Sequence, residues 1–276
     1  MTKKILKVMF MLTLLIALVA GCGNQDSKKA SSDETNMKTL VCLADTTPHA
    51  EILEYAEKDL EKLGIKLNIV SKVWDSTWNE QVENGTVDFH YDAYVPYLDE
   101  WNKSNNGHLV GAGGIHLEPL VMCSEKYDSI EDLPQNAVIA IKEDVTNQYR
   151  CLKLLEQAGL IELSDEITMS NADVSMIAKY NKPLEIVAMN ADVILNTRVD
   201  FDAYITNTNR LLEASLDPAD YLAREESQDS IFANVICVKE GNENSEAIKK
   251  LVSVLQSDDV RNFIHDKYNG AVIPAF

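Results

Sequence analysis

From Thr39 to Phe276, short runs rich in branched apolar residues alternate with segments of helical periodicity, and this alternation limits the fold more than any other feature. "TLVCLA" reads as a buried strand. "PHAEILEYAEKDLEKLG" reads as a helix in which Ile52, Tyr55, Ala56, Leu60 and Leu63 keep helical spacing and Gly64 suits the C-cap. "KLNIV" adds a second strand and so a βαβ unit. A short helix ending at Gly85 precedes a strand at Val87–Val95, and "GIHLEPLVMCS" then crosses into a second series. There, "AVIAI", a helix from about Thr146 to Leu160, "LEIVAM", "FDAYIT" and "NVICVKEG" follow one another. A long helix from Ser245 closes the chain, with an apolar stripe of Ile248, Leu251, Val252, Leu255, Phe263 and Ile264. Strands separated by helices imply an α/β fold with mainly parallel sheets covered on both faces. The length allows one large domain or two lobes.

The N-terminus indicates where such a fold works. Lys3, Lys4 and Lys7 precede the apolar run "VMFMLTLLIALVA", which is too short for a comfortable membrane span and ends in "LVAGC". This is the pattern of a lipoprotein signal: residues 1–21 are expected to be removed, leaving Cys22 to carry the lipid, palmitate included. Residues 22–38 are polar and read as a tether. Removal of residues 1–21 takes away three lysines and no acids, so the net charge of −19 becomes about −22. That charge argues against nucleic acid or an anionic membrane as a partner through a basic patch. Membrane attachment is therefore expected through Cys22 alone. Cys42, Cys123, Cys151 and Cys237 sit in apolar runs and read as buried thiols, with a disulfide left open.

No catalytic motif stands out. The chain lacks G-x-S-x-G, H-E-x-x-H, P-loop and G-x-G-x-x-G patterns, and "GAGG" (Gly111 to Gly114) precedes a strand rather than a helix. The histidines His49, His90, His108, His116 and His265 do not cluster at ligand spacing. Alternation on the Val87–Val95 strand puts Asp88, His90, Asp92 and Tyr94 on one face, but same-face Cβ atoms about 7 Å apart are wide for one metal centre. A metal-ion receptor and an extracellular hydrolase assembled in space stay open as alternatives to a binding protein.

Two constellations suit a small zwitterion. In "DVTNQYR", Asp144 or Thr146 can cap a helix whose N-terminus presents Asn147 and Arg150, a suitable holder for a carboxylate. An arginine paired to a surface acid would look the same. Asn207 and Asn234 lie at strand ends, where an amide needs partners from a ligand or from a neighbouring loop.

These pieces occur in the order of a known family. Through "PHAEILE", "GTVDF…VPYLDEWN", "KYDSIEDLPQNAVIAI", "TNQYRCLKLLEQAGLI", "TNTNRLLEASLDP" and "QSDDVRNFIHDKYNGAVIPAF", the chain resembles the NlpA/MetQ-type methionine-binding lipoproteins, receptors of ABC importers. The resemblance implies a periplasmic-binding-protein-like fold with lobes at 39–122 plus 236–276 and at 123–235, and crossing strands near Leu120–Ser124 and Ala233–Val238. It implies a monomer without cofactor, metal or catalytic residues, closing on one free amino acid and docking on a permease. Asn147, Arg150, Asn207 and Asn234 correspond to the residues that hold the ligand's backbone. The side-chain pocket departs from the family. Asp92-Ala93-Tyr94 stands where the family has Phe-Gln-His, Asp75 beside Trp74 stands for a Tyr, and Arg210 for another Tyr. If Asp75 and Asp92 face the pocket, the ligand brings a cation or several donors. A one-residue slip of the strand would put Tyr91 there in place of Asp92.

Overall fold

The computed structural model describes residues 37–71, 74–75, 77–227 and 231–276. The expected signal peptide, Cys22 and nearly all of the expected tether lie outside the described residues. The chain runs β1 (Lys38–Ala44), α1 (Glu51–Lys62), β2 (Ile65–Ser71), α2 (Thr77–Glu83), β3 (Phe89–Tyr94), α3 (Val95–Asn105) and β4 (Leu109–Leu117). It continues through β5 (Leu120–Cys123), β6 (Ala137–Lys142), α4 (Val145–Gln157), the strands β7 (Ile161–Leu163) and β8 (Ile177–Tyr180), β9 (Leu184–Met189), α5 (Ala191–Thr197), β10 (Ala203–Asn207), α6 (Thr208–Glu213) and β11 (Ala223–Arg224). It ends with β12 (Asn234–Lys239), α7 (Glu246–Leu255), α8 (Asp258–Tyr268) and β13 (Ile273–Pro274).

Two sheets organise these elements. The first has the order β13-β4-β12-β3-β1-β2 and the second β11-β5-β10-β6-β9. Pairing is parallel through β2-β1-β3 and through β10-β6-β9, where helices make the crossovers. It turns antiparallel where the chain returns, at β12 against β3 and β4 and at β5 against β10. The two passages between the sheets adjoin β5 and β12: Glu118–Pro119 leads into β5, and the other leaves β11 and enters β12.

Helices cover both faces of each sheet. Ile52 and Leu60 of α1, Leu251 of α7 and Ile264 of α8 pack on Leu40, Cys42 and Ile236 of the first sheet. Trp78, Val82 and Leu98 fill its other face, with Ala93 and Val235. In the second sheet, Cys151, Leu152 and Leu155 of α4 meet Ile139, Ile141 and Ile205. Ile194 and Leu211 cover the opposite face with Val121 and Tyr204. Cys42, Cys123, Cys151 and Cys237 are all buried free thiols.

Two departures from the expected pattern are local. The long C-terminal helix is two helices, because the Ser257 hydroxyl accepts from Val260 N at 3.3 Å and opens a new N-terminus. Gly113 lies inside β4, where an added Cβ would come within 2.6 Å of Val252 Cγ1, so the glycine run permits close packing of α7 on the sheet.

Candidate functional site

β6, β9 and β10 end at one rim of the second sheet, and the end of β3 and start of β12 face them from the first. The cleft between these ends encloses about 200 Å³. Ligand sites of open α/β sheets lie outside the carboxyl ends of strands, as here.

Arg150 anchors the cleft from α4. It is 2 % exposed. Its Nε donates to Glu225 Oε1 at 2.9 Å, while Nη2 donates to Glu225 Oε2 at 2.6 Å and to the Glu118 carbonyl at 3.2 Å. The guanidinium lies 4.6 Å from the Phe232 ring centroid and 5.3 Å from that of Tyr94. Asp144 caps α4, accepting from Asn147 N at 3.0 Å and from the Asn147 side chain at 3.1 Å. Asn147, Arg150, Asn207 and Asn234 all line the cleft. Asn207 is tied into the protein at both ends of its amide, accepting from Lys142 Nζ and donating to the Glu118 carbonyl at 3.1 Å. Buried atoms without a hydrogen-bond partner among the described residues include Asn147 Oδ1, Asn209 Oδ1 and Trp74 Nε1. All three side chains line the cleft.

The expected side-chain pocket is assembled only in part. Trp74, Asp92 and Tyr94 line the cleft, and Tyr97 joins them. The Trp74 and Tyr97 rings meet edge-on at 6.0 Å, and the Tyr94 hydroxyl donates to Thr146 Oγ1 at 3.3 Å. Asp75 is not among the lining residues. Its carboxylate accepts from Thr77 N at 2.8 Å, capping the start of α2. Tyr91 does not line the cleft either: it is fully buried, with its hydroxyl bonded to His116 Nδ1.

The four residues expected on one face of β3 are also separated. Ala93 pairs with Val235 but Tyr91 with Ile236, so Asp92 is an extra residue, a β-bulge. The bulge resets the alternation and leaves Asp92 at the cleft. Asp88 precedes the strand and accepts from Val41 N at 2.7 Å. His90 turns into the core, Nε2 2.8 Å from Asn79 Oδ1.

A charged floor lies beneath. Arg210 Nη1 is 3.0 Å from Glu213 Oε2 and 3.2 Å from Asp45 Oδ2, and its field reaches Asp92 and Glu118. Burial, reinforced by Asp45, pushes the Asp92 carboxyl well above the usual carboxylate range. Burial likewise raises Asp45 and Glu118 and lowers Lys142. It also holds His49 and His116 neutral, their affinity for a proton lowered to about 3. Sequence reading missed Lys142, Glu118 and Asn209 as site residues. The signal for Glu118 was present in "HLE", since His116 and Glu118 at alternate positions share one face of an extended chain.

Burial, opposed by Arg210, raises the Glu213 carboxyl from its usual 4.5 to about 7. A carboxyl raised in the folded state costs nothing below its unfolded value and most above its folded one. Wild-type stability relative to Glu213→Gln is therefore expected to fall between pH 4.5 and 7 and to level off above, read by urea unfolding across that range. A constant difference between the two chains would remove Glu213 from the coupled floor.

A cleft between two helix-flanked sheets, lined from both, is the architecture of a two-lobed solute-binding protein. The chain belongs to the NlpA lipoprotein family, whose model matches residues 41–276. It is 35% identical, over 98% of its length and 99% of the relative's, to the methionine-binding lipoprotein MetQ of Bacillus subtilis. It is similar to a nutrient binding protein from Burkholderia cenocepacia solved bound to methionine, with 31% identity, TM-score 0.81, and coverage of 86% of this chain and all of that one. A periplasmic substrate-binding protein of an ABC transporter from Coxiella burnetii matches at 31% identity and TM-score 0.80, with the same coverage.

Proposed function

We propose that this chain is an extracytoplasmic receptor of an ABC importer, held to the membrane by lipid on Cys22, whose lobes close on one free amino acid as a monomer. The observation that carries the reading is the convergence of Asn147, Arg150, Asn207 and Asn234 on one cleft at the N-terminus of α4. A carboxylate fits the guanidinium and the helix dipole, and an ammonium fits the unpartnered Asn147 Oδ1. Its work is binding rather than catalysis. A ligand touching both lobes favours the closed form, which a permease can distinguish from the open one.

The side-chain end favours a polar ligand. Asp92 lines it, and the counter-charge to Asp92 comes from Arg210 rather than from a ligand cation. An amino acid carrying both donors and acceptors, such as one with a side-chain amide, matches that pair better than a lysine-like cation. A second reading, methionine, is favoured by the aromatic wall of Trp74, Tyr94 and Tyr97 and by the names of the relatives.

A thermal-shift screen of refolded, ligand-stripped protein against all free amino acids tests this. A saturating ligand present at about 100 times its Kd stabilises by about 2.7 kcal/mol. A strong shift with an amide or other polar amino acid supports the first reading, and one with methionine alone supports the second. No shift with any amino acid overturns the function.

A further inference from the structure

Beneath the cleft floor, three residues distant in sequence bring donor atoms together. One donor from each of His49, His116 and Glu118 lies within 4.8 Å of the others. His116 Nε2 is 2.9 Å from Glu118 Oε1, and His49 Nε2 is 3.4 Å from the same oxygen. Asp92 Oδ1 approaches His49 Nε2 to 3.2 Å. We propose that His49, His116 and Glu118, with Asp92 as a fourth donor, form a binding site for a divalent transition metal, with zinc the best fit.

The distances suit that ion. Ligands about 2.0–2.2 Å from a tetrahedral zinc stand about 3.3–3.6 Å from one another, and two imidazoles with a carboxylate are a common zinc donor set. The His49 contacts with Asp92 and Glu118, at 3.2 and 3.4 Å, lie near that range, and the three donors, spread over no more than 4.8 Å, draw together on binding.

The state of His49 is the second, independent observation. Its ring is fully buried, yet neither nitrogen has a hydrogen-bond partner among the described residues. The Asn234 side chain approaches the ring and favours its protonated form against burial. Both carboxylate oxygens near Nε2 are within reach and misaligned for a hydrogen bond. A buried imidazole left unpaired destabilises the fold, and a metal at that position removes the cost.

The surroundings complete the argument. The Tyr91 hydroxyl on His116 Nδ1 fixes that ring with Nε2 toward Glu118, the outer support that metal-bound histidines use. Asp92 and Glu118 also line the cleft, which gives an ion a route in. The site adjoins the amino-acid holder, since Asp92 and Glu118 line the same cleft and the Glu118 carbonyl accepts from Arg150 and Asn207, but its donors are different atoms from those of Asn147 and Arg150.

The test uses the full-length chain in detergent, stripped with a chelator and titrated with Co²⁺. One Co²⁺ per chain is expected, with the intense visible absorption of four-coordinate cobalt, displaced by Zn²⁺. Glu118→Gln and His49→Gln should each weaken binding by at least about 100-fold, while His265→Gln, on the exposed side of α8, leaves it unchanged. X-ray absorption of the zinc-loaded wild type should count two imidazoles, a readout that survives if a variant fails to fold. The proposal falls if the wild type shows no such absorption, if zinc has fewer than two imidazoles, or if folded Glu118→Gln and His49→Gln both bind as wild type. The amino-acid screen repeated in chelator reads the transport ligand separately, so either reading can fail alone.

Discussion

Arg150→Ala abolishes the stabilisation of this chain by any free amino acid, and it also weakens the unliganded fold by about 3–5 kcal/mol, the usual result of removing one partner of a buried ion pair. Both effects come from one side chain. Arg150 sits almost wholly out of solvent and satisfies both Glu225 oxygens through Nε and Nη2. Without it, Glu225 keeps only the Leu120 N–H, at 3.0 Å, as a hydrogen-bond donor among the described residues, in a place water reaches poorly. Arg150→Ala with Glu225→Gln separates the two effects, because the amide removes the orphaned charge. Urea unfolding should then recover much of the lost stability, while ligand-induced stabilisation stays absent. Retained stabilisation in Arg150→Ala would place the carboxylate holder elsewhere.

The parts of this site that were legible in the sequence are those set by neighbours in the chain. The capping acid, the helix start and the i,i+3 spacing of Asn147 and Arg150 are all contained in seven residues, and each follows from helix geometry. The parts that were not legible depend on distant strands. Asp92 reaches the cleft through a bulge, and a bulge is defined by the partner strand: Val235 and Ile236 of β12 determine it. His49 precedes α1, His116 ends β4, and only the stacking of β4, β12 and β3 in one sheet brings them together. Asp75 shows the opposite error. Its place beside Trp74 suggested the pocket, but its carboxylate accepts from Thr77 N at 2.8 Å at the start of α2, a short-range cap.

The same logic makes Asp92 and Arg210 a single feature. Each departs from the aromatic expected at its position, one on β3 and one on α6, and the fold brings their charges into each other's field. Arg210→Tyr alone removes the guanidinium that lowers the carboxyls of Asp45, Asp92, Glu118 and Glu213. Those groups then hold protons more tightly in the folded state, so the loss, about 3–5 kcal/mol at neutral pH, grows as pH rises and shrinks in acid. Asp92→Phe alone leaves Arg210 with Asp45 and Glu213 as partners and costs less. The double variant removes an acid and a base together and restores an apolar wall beside Trp74 and Tyr97. Its loss is expected to fall short of the sum of the single losses by about 0.5–3 kcal/mol, the range for residues that share a network. Methionine should stabilise the double variant more than it stabilises wild type, since a thioether loses nothing against an aromatic wall and gains nothing from an ion pair. A double-mutant cycle in urea reads the coupling, and the same samples with methionine read the ligand. Strict additivity would mean that the acid and the arginine arose for separate reasons, and that the polar character of the pocket rests on Asp92 alone.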